Sequence, residues 1–323
     1  MKKSKFVQKI KGIDWKKSPI VSTMATTLIL IIIFTIFNSN FLTWPNFTTI
    51  FLNASIIGIF STGMTMLLIG GNVDLSAAST AAISVMSFGL LYKNGVPLLL
   101  GALLCLVVGM LAGLVNGLLV AKAQLPSMMV TIANMLTFRA IGYALSNVQA
   151  VVITDTAFFA FGRRTIFGIP VSVFYMILVF LIIGYVLERT AFGRRIYAVG
   201  GNMQASYYSG INIDRTIIQS FMVMGVVAGF AGLVSASQTG ATVPSIMYGR
   251  EFDFVSPCVI GGIAMSGGKG KIFGTFLGCI LLAIVANGMV MAGLQSYWQD
   301  MVKGLILIFA MWVDAIRNRR DLA

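Results

Sequence analysis

Apolar residues fall in long segments that are separated by short polar breaks. Ten segments of roughly membrane-spanning length can be placed, at residues 20–37, 49–69, 76–92, 96–120, 127–146, 171–187, 216–238, 252–266, 272–292 and 297–314. A helix needs about 20 apolar residues to cross the hydrocarbon core of a bilayer. The pattern therefore predicts an all-α polytopic membrane protein with about ten transmembrane helices. The third and eighth segments are short and flanked by glycine, which favours broken or partly buried helices.

Composition supports a membrane location. Apolar residues make up 58% of the 323 residues, charged residues only 10%, and mean hydropathy is +0.91. The first segment runs into Asn38-Ser39-Asn40 without a small-residue cleavage site, so we expect a retained anchor and not a secretory signal. Cys105, Cys258 and Cys279 are odd in number and lack metal-ligand spacing. Packing is their expected role.

Basic residues fall largely on one side when the segments are threaded alternately. With both termini in the cytosol, 17 of the 23 lysines and arginines are cytosolic, as the positive-inside rule requires. This predicts a multi-pass membrane protein with both termini in the cytosol. Its parts are a basic cytosolic segment at 1–19, a permease domain at 20–315 with a cytosolic loop at 188–215, and a cytosolic tail at 316–323. The net charge of +13 then reflects topology and contact with anionic lipid, not nucleic acid.

No motif for catalysis is found. The stretch Ser266-Gly267-Gly268-Lys269-Gly270-Lys271 invites a phosphate-loop interpretation, but Ile263 stands where that motif needs glycine and Gly270 where it needs Ser or Thr. The chain has no histidine and no paired carboxylates at catalytic spacing, so neither a metal site nor a hydrolytic site is predicted. We expect that the chain is not itself an enzyme and binds no cofactor.

Charged residues inside the membrane need an explanation. Six lie in or beside apolar segments: Asp74, Arg139, Glu251, Asp253, Asp300 and Lys303. A charge at mid-membrane costs about 2.5–3.5 kcal/mol, so each needs a partner, a cavity or an interfacial position. Structural ion pairs and helix caps are the favoured interpretation, with a role in the transport path as the alternative. Asp74 precedes Leu75-Ser76-Ala77 and is expected to cap the third helix.

The loop at 188–215 contains a predicted short helix. Asn202 is a good helix N-cap and Gly210 a good terminator, and two adjacent tyrosines, Tyr207 and Tyr208, lie between them. Tyrosine is favoured in protein interfaces and also at lipid headgroups. The helix is therefore expected either to bind a cytosolic partner or to rest on the membrane.

Uncharged polar residues within the spans are candidates for the transport path. They are Asn116, Asn134, Gln149, Gln238 and Asn287. A residue of this kind is more often an interhelical hydrogen-bond partner, which is the alternative for each of them. Gly109 and Gly113 form a small-xxx-small pair that predicts close approach of a neighbouring helix. The dipeptide Asn116-Gly117 is echoed by Asn287-Gly288, which suggests an inverted repeat.

Four stretches resemble one family. The loop reads Phe192-Gly193-Arg194-Arg195-Ile196-Tyr197-Ala198-Val199-Gly200-Gly201-Asn202, followed by Ser209-Gly210-Ile211-Asn212. The others are Gly70-Gly71-Asn72-Val73-Asp74-Leu75-Ser76, then Glu251-Phe252-Asp253 ahead of Ile260-Gly261-Gly262, and Ser266 to Thr275. Together with the tail from Ser296 to Asp314, they resemble ribose-type permeases of ABC importers over about residues 50–315. Asn72 and Pro257-Cys258 depart from the family pattern, and both lie near predicted helix breaks.

The resemblance implies a membrane subunit that works as two copies, identical or paralogous, and carries a monosaccharide or related polyol. It also implies a separate cytosolic ABC ATPase and an extracytoplasmic sugar-binding protein. The family's ATPase-docking helix falls on Asn202 to Gly210, with Ile211 directly after it. An ion-coupled secondary carrier and an ABC permease for branched-chain amino acids remain alternatives. Few protonatable groups lie in the membrane, which favours an external energy source.

Overall fold

The computed structural model describes residues 19–320 and shows an all-helical chain with four two-residue strands. The lysines before Pro19 and residues 321–323 lie outside the described residues. The helices are α1 (Pro19–Phe37), α2 (Trp44–Ile69), α3 (Ala77–Lys93), α4 (Leu98–Ala121), α5 (Ser127–Ser146), α6 (Thr156–Arg163), α7 (Val171–Arg189), α8 (Ala191–Gly201), α9 (Met203–Tyr208), α10 (Ile213–Thr239), α11 (Glu251–Ile260), α12 (Ile272–Met291) and α13 (Ser296–Arg320). The strands are β1 (Val151–Val152), β2 (Thr165–Ile166), β3 (Ile169–Pro170) and β4 (Ala241–Thr242). A 3₁₀ turn covers Ser39–Leu42.

Seven helices within residues 19–320 are long and apolar enough to cross a membrane: α1, α2, α4, α5, α7, α10 and α12. The predicted shortness of the third and eighth segments is confirmed, because α3 has 17 residues and α11 only ten. The eighth segment was expected to reach residue 266, but its helix ends at Ile260. Gly261 follows as the C-cap and Gly262 has a positive φ of 88°, which ends the helical path. The tenth segment is helical within α13 but is not among the seven.

Two long helices, α2 and α10, form the centre of the fold. They contact each other, and α2 also packs against α7, α11 and α12. Helix α10 packs against α3, α4 and α6. Most buried apolar residues of α2 and α10 belong to the largest apolar cluster, which includes Phe60, Met64, Phe221 and Met224. The outward faces of the surrounding helices carry most of the exposed apolar side chains, as expected of surfaces in contact with lipid or another membrane chain.

A glycine seam joins α4 to α10. A Cβ on Gly113 would collide with the carbonyl oxygen of Phe221, and a Cβ on Gly109 would collide with that of Gly225. Gly117, one turn further along α4, would meet the Cα of Ile218 at 2.8 Å. The close helix approach predicted from Gly109 and Gly113 is therefore confirmed, and α10 is the neighbour.

Two irregular segments interrupt the helical packing, at residues 70–76 between α2 and α3 and at 240–250 between α10 and α11. The first lies at the end of the fold where the Gly268 amide donates to the Ile69 carbonyl oxygen at 2.8 Å. The second begins with β4, which pairs antiparallel with β1 after α5. The two breaks therefore enter the helical body from opposite ends.

The glycine seam gives a stability prediction. Gly113→Ala should lower the free energy of unfolding by about 1–3 kcal/mol, because the added methyl group forces α4 and α10 apart. Gly304→Ala, in an open position on α13, is the matched control and should be neutral or slightly stabilising. Thermal unfolding of the purified protein in detergent, followed by tryptophan fluorescence, would compare the two. Equal midpoints would contradict the seam as a close backbone contact.

Candidate functional site

The predicted loop helix is confirmed as α9, a six-residue helix with both ends capped. The Asn202 side chain accepts a hydrogen bond from the Ala205 amide at 2.8 Å. At the other end Gly210 has a φ of 77° and donates its amide to Tyr207, while the Ile211 amide donates to Ser206, both at 3.0 Å. This pair of bonds is a Schellman motif. The caps allow so short a helix to form at a surface.

Helix α9 presents its tyrosines outward. The Tyr207 and Tyr208 side chains are 68% and 77% exposed, whereas Ser206, directly before them, is buried. Beside α9 is a cleft of about 930 Å³ with a mostly apolar lining, in which Asn72, Gln124 and Ser127 are among the polar residues. Lys122 and Asp214 form an ion pair of 2.8 Å at this surface. The helix and cleft together make a recessed, mostly apolar surface with a few polar groups and two exposed tyrosines beside it.

Five glycines join the loop at 188–215 to two other parts of the chain. We call this contact the glycine junction; its members are Gly71, Gly200, Gly201, Gly267 and Gly268. A Cβ on Gly200 would collide with the Ile69 carbonyl oxygen, and a Cβ on Gly268 with the Cα of Gly201. A Cβ on Gly267 would lie 2.7 Å from the Gly200 oxygen. The backbones at the end of α2, at the end of α8 and in the loop before α12 are therefore in direct contact.

A side-chain hydrogen bond reinforces the glycine junction. The Tyr197 hydroxyl on α8 donates to the Gly270 carbonyl oxygen at 2.9 Å. Burial and the negative charge of Glu188 raise the pKa of Tyr197 above its ordinary value, so the hydroxyl keeps its proton and remains a donor. Helix α8, which leads directly into α9, is thus fixed to the loop before α12.

The first break holds a chain of buried polar side chains. Asp74 accepts hydrogen bonds from the amide of Ser76 at 2.8 Å and from its hydroxyl at 2.6 Å. The Asn116 amide group donates to the Ser76 hydroxyl at 2.8 Å, and Asn134 donates to the Asn116 oxygen at 2.7 Å. Asp74 lies two residues before the N-cap, which is Ser76, and so orders the turn ahead of α3. This series of hydrogen-bonded side chains connects the break to α4 and α5.

The structure therefore brings together three of the residues singled out in the sequence, Asp74, Asn116 and Asn134. Asn116 is fully buried and Asn134 half-buried. Asn287 lies elsewhere, donating to the Asn46 side chain at 2.8 Å. Gln238 is half-buried near the end of α10, where its carbonyl oxygen accepts from Arg163 at 2.7 Å. Gln149 is exposed just after α5.

The second break is held by charged side chains. Arg139 of α5 donates from Nη1 to the carbonyl oxygens of Pro244 and Ile246, each at 2.8 Å. At the start of α11, Asp253 forms ion pairs with Arg250 at 3.0 Å and with Lys303 of α13 at 3.1 Å. Lys303 also lies 3.4 Å from Asp300, which is exposed. Glu251 begins α11 and is half-buried.

Cys105, Cys258 and Cys279 are buried and unpaired, in keeping with a packing role. Across residues 19–320, no group of three or more His, Cys, Asp or Glu side chains could hold a metal ion. The arrangement is that of a scaffold with buried polar contacts at two helix breaks and an exposed loop helix.

Sequence reasoning missed the glycine junction and the carbonyl partners of Arg139. The junction did leave a signal, because the dipeptide Gly-Gly occurs at 70–71, 200–201 and 267–268, each beside a predicted helix end. The partners of Arg139 left no signal in the sequence, since they are backbone carbonyl groups, which every residue has.

Similarity to known proteins agrees with this geometry. The family described as branched-chain amino acid transport system, permease component, matches residues 46–311. The ribose import permease of Bacillus subtilis (strain 168) is 33% identical over 288 residues, 88% of this chain and 89% of the relative. The L-arabinose transport system permease of Escherichia coli (strain K12) is 34% identical over 291 residues, 90% of this chain and 89% of the relative. The ribose import permease of the same strain is 32% identical over 296 residues, 90% of this chain and 92% of the relative. No solved structure matches the chain.

Helices of span length, a capped loop helix and these similarities define a polytopic transport permease, a transport component and not an enzyme. The chain belongs to the family of branched-chain amino acid transport system permease components. The resemblance to ribose-type permeases of ABC importers is confirmed, and the protein is a multi-pass protein of the bacterial cytoplasmic membrane. Membership in this family implies partnership with an ATPase and a substrate-binding protein.

Proposed function

We propose that this chain is the membrane-spanning subunit of an ATP-driven importer for a monosaccharide, either a ribose-like or arabinose-like sugar or a related polyol. The observation that carries the proposal is α9, a capped helix with two exposed tyrosines that is joined through α8 to the glycine junction. A cytosolic ATPase docking on Asn202, Tyr207, Tyr208, Gly210 and Ile211 would act directly on the ends of α2 and α8. The relatives named for ribose and arabinose support the substrate class.

The proposed topology has ten crossings, with α3, α11 and α13 crossing in addition to the seven span-length helices. Ile69, Gly200 and Gly268 meet at one end of the fold, while β1 and β4 pair at the other. Alternate threading then puts both termini and the loop at 188–215 in the cytosol, with the bulk of the basic residues. The basic segment at 1–19 and the tail at 316–323 would flank the permease domain at 20–315.

We also propose an inverted repeat that relates α2–α5 to α10–α13. In this repeat α2, α3 and α4 correspond to α10, α11 and α12. The packing supports it, because the contact of α4 with α10 has its equivalent in that of α12 with α2. The contact of α3 with α4 likewise has its equivalent in that of α11 with α12. Each half contains a break followed by a short helix, α3 or α11. Asn116-Gly117 and Asn287-Gly288 fall in the corresponding helices α4 and α12.

The substrate path is proposed to run along α5, between this chain and a second copy, identical or paralogous. Helix α5 is the least apolar of the seven span-length helices, and most of its residues are not buried within the chain. Asn134 is half-buried on this helix and donates to the fully buried Asn116, whereas Asn287 is buried and donates to Asn46. We therefore place Asn134 on the path and assign Asn116 to its positioning, with Gln238 and Asn287 as further candidates near other helices.

An ion-coupled secondary carrier is disfavoured by the partners of the intramembrane charges. Asp253 pairs with two cations, and Asp74 is bonded to Ser76. These contacts suit fixed structural roles better than a proton relay. A branched-chain amino acid importer shares the layout, and the sugar-specific names of the relatives weigh against it.

The energy source tests the proposal. The chain alone in liposomes should transport nothing under any imposed pH or sodium gradient. With a matching ATPase and binding protein, uptake of radiolabelled ribose or arabinose should follow ATP hydrolysis and persist when ionophores collapse the gradients. Gradient-driven uptake by the isolated chain, abolished by Asp74→Asn or Asp253→Asn, would make it a secondary carrier instead.

The docking assignment gives a second prediction. Replacing both Tyr207 and Tyr208 by Ala should weaken ATPase binding by about 2–4 kcal/mol, because exposed interface aromatics supply much of such contact energy. Co-purification of the ATPase with the tagged permease would measure the loss. Tyr185→Ala, at a similarly exposed tyrosine on α7, is the control and should retain the ATPase. Recovery of the ATPase with the double variant at the unmodified level would reject docking at α9.

A further inference from the structure

The segment 243–250, between β4 and α11, is irregular in a region where the surrounding chain is helical. Met247 has a φ of 54° and Gly249 a φ of 76°, so the segment turns twice through left-handed conformations. It is attached at both ends, by the pairing of β4 with β1 and by the ion pair of Arg250 with Asp253. The Val243, Ser245 and Met247 carbonyl oxygens accept turn bonds from amides within the segment, whereas those of Pro244 and Ile246 need partners from outside it.

Arg139 supplies those partners. Its Nη1 donates to the oxygens of Pro244 and Ile246 at 2.8 Å, and its guanidinium carbon lies 5.5 Å from the ring centre of Tyr248. Arg139 is seven residues from the end of α5, about 10 Å below it at 1.5 Å per residue. The segment therefore folds back into the helical body and meets α5 well below the end of that helix.

Arg139 is a buried arginine whose hydrogen bonds go only to backbone oxygens. The side chain is only 6% exposed, and nothing within residues 19–320 forms an ion pair with it. Its Nη2 atom is buried with no hydrogen-bond partner among the described residues. The charge of Glu251 acts on Arg139 without a direct ion pair, and two carbonyl groups alone do not satisfy the five donors of this buried cation. An interaction of this kind suits a contact that is made and broken, not a permanent one.

We propose that Arg139 is a latch that holds segment 243–250 across the extracytoplasmic part of the path. Release of its two carbonyl bonds would free the segment to move away from α5 and open the path at that end. Arg139 is thus a positioning residue for the gate, and its unpartnered Nη2 is a donor available to a new acceptor in the open state. The inference deepens the proposed transport function, because α5 is the helix on which the path was placed.

Accessibility of the segment tests the latch without any need for substrate. Ile246 is buried, so Ile246→Cys in the otherwise unmodified chain should react slowly with a water-soluble maleimide applied to the assembled complex. Adding Arg139→Gln should raise that rate at least tenfold, because the neutral amide cannot replace both charge-assisted bonds. Arg139→Lys keeps the charge but not the fork geometry and should give a smaller increase.

Arg163→Gln is the matched control, since Arg163 also donates to a backbone oxygen, that of Gln238, and stacks on Phe159. It should leave the labelling of Ile246→Cys unchanged. Equal labelling with and without Arg139→Gln would overturn the latch. Labelling of the buried native Cys105 in the same variant would also overturn it, because the helical body as a whole would then have loosened.

A transport measurement separates a latch from a purely structural contact. In the full complex, Arg139→Gln should lower the sugar transported per ATP hydrolysed, and Arg139→Lys should restore part of it. If sugar transport and ATP hydrolysis fell in the same proportion, the result would contradict the latch. Because labelling requires neither sugar nor ATP, a failed transport function and a failed latch would give different results.

Discussion

The constraint on which this fold depends is that backbone polar groups inside a membrane must find partners within the protein. Helices satisfy it locally, but segments 70–76 and 240–250 are not helical. The first is ordered by the bonds from Ser76 to Asp74 and from Asn116 to Ser76. The second is ordered by Arg139. Most of the charged residues in the apolar regions therefore lie at the two breaks and bind groups there.

Glycine determines how closely the remaining backbone can pack. Along the α4–α10 seam, Gly109 and Gly225 bring two helices into direct contact. At the glycine junction the same property joins three chain segments that carry no large side chains there. A contact made by backbone has little room to deform, so displacement at one segment is passed to the others. Displacement of α9 can therefore be transmitted through α8 to the break before α3.

The sequence was sufficient for features that depend on local chemistry. Periodic apolar segments predicted the helices, Asn202 and Gly210 predicted the ends of α9, and Gly109 with Gly113 predicted a close neighbour. Features that depend on distant contacts could not be predicted in the same way. The glycine junction joins residues about 70 to 200 positions apart, and the acceptors of Arg139 lie more than 100 residues away. Asn116 and Asn134 were recognised as polar residues, but their contact follows only from the packing of α4 against α5.

If an ATPase docks at α9, the loop at 188–215 and the break at 70–76 must move as one unit through the glycine junction. Hydrogen exchange of the complete transporter, compared between nucleotide-free and ATP-trapped states, tests it most directly, since local opening is reported segment by segment. The account predicts that peptides covering 70–76, 200–210 and 261–271 change protection together, while the α4–α10 seam stays constant. A change at 200–210 with no change at 70–76 and 261–271 would contradict it.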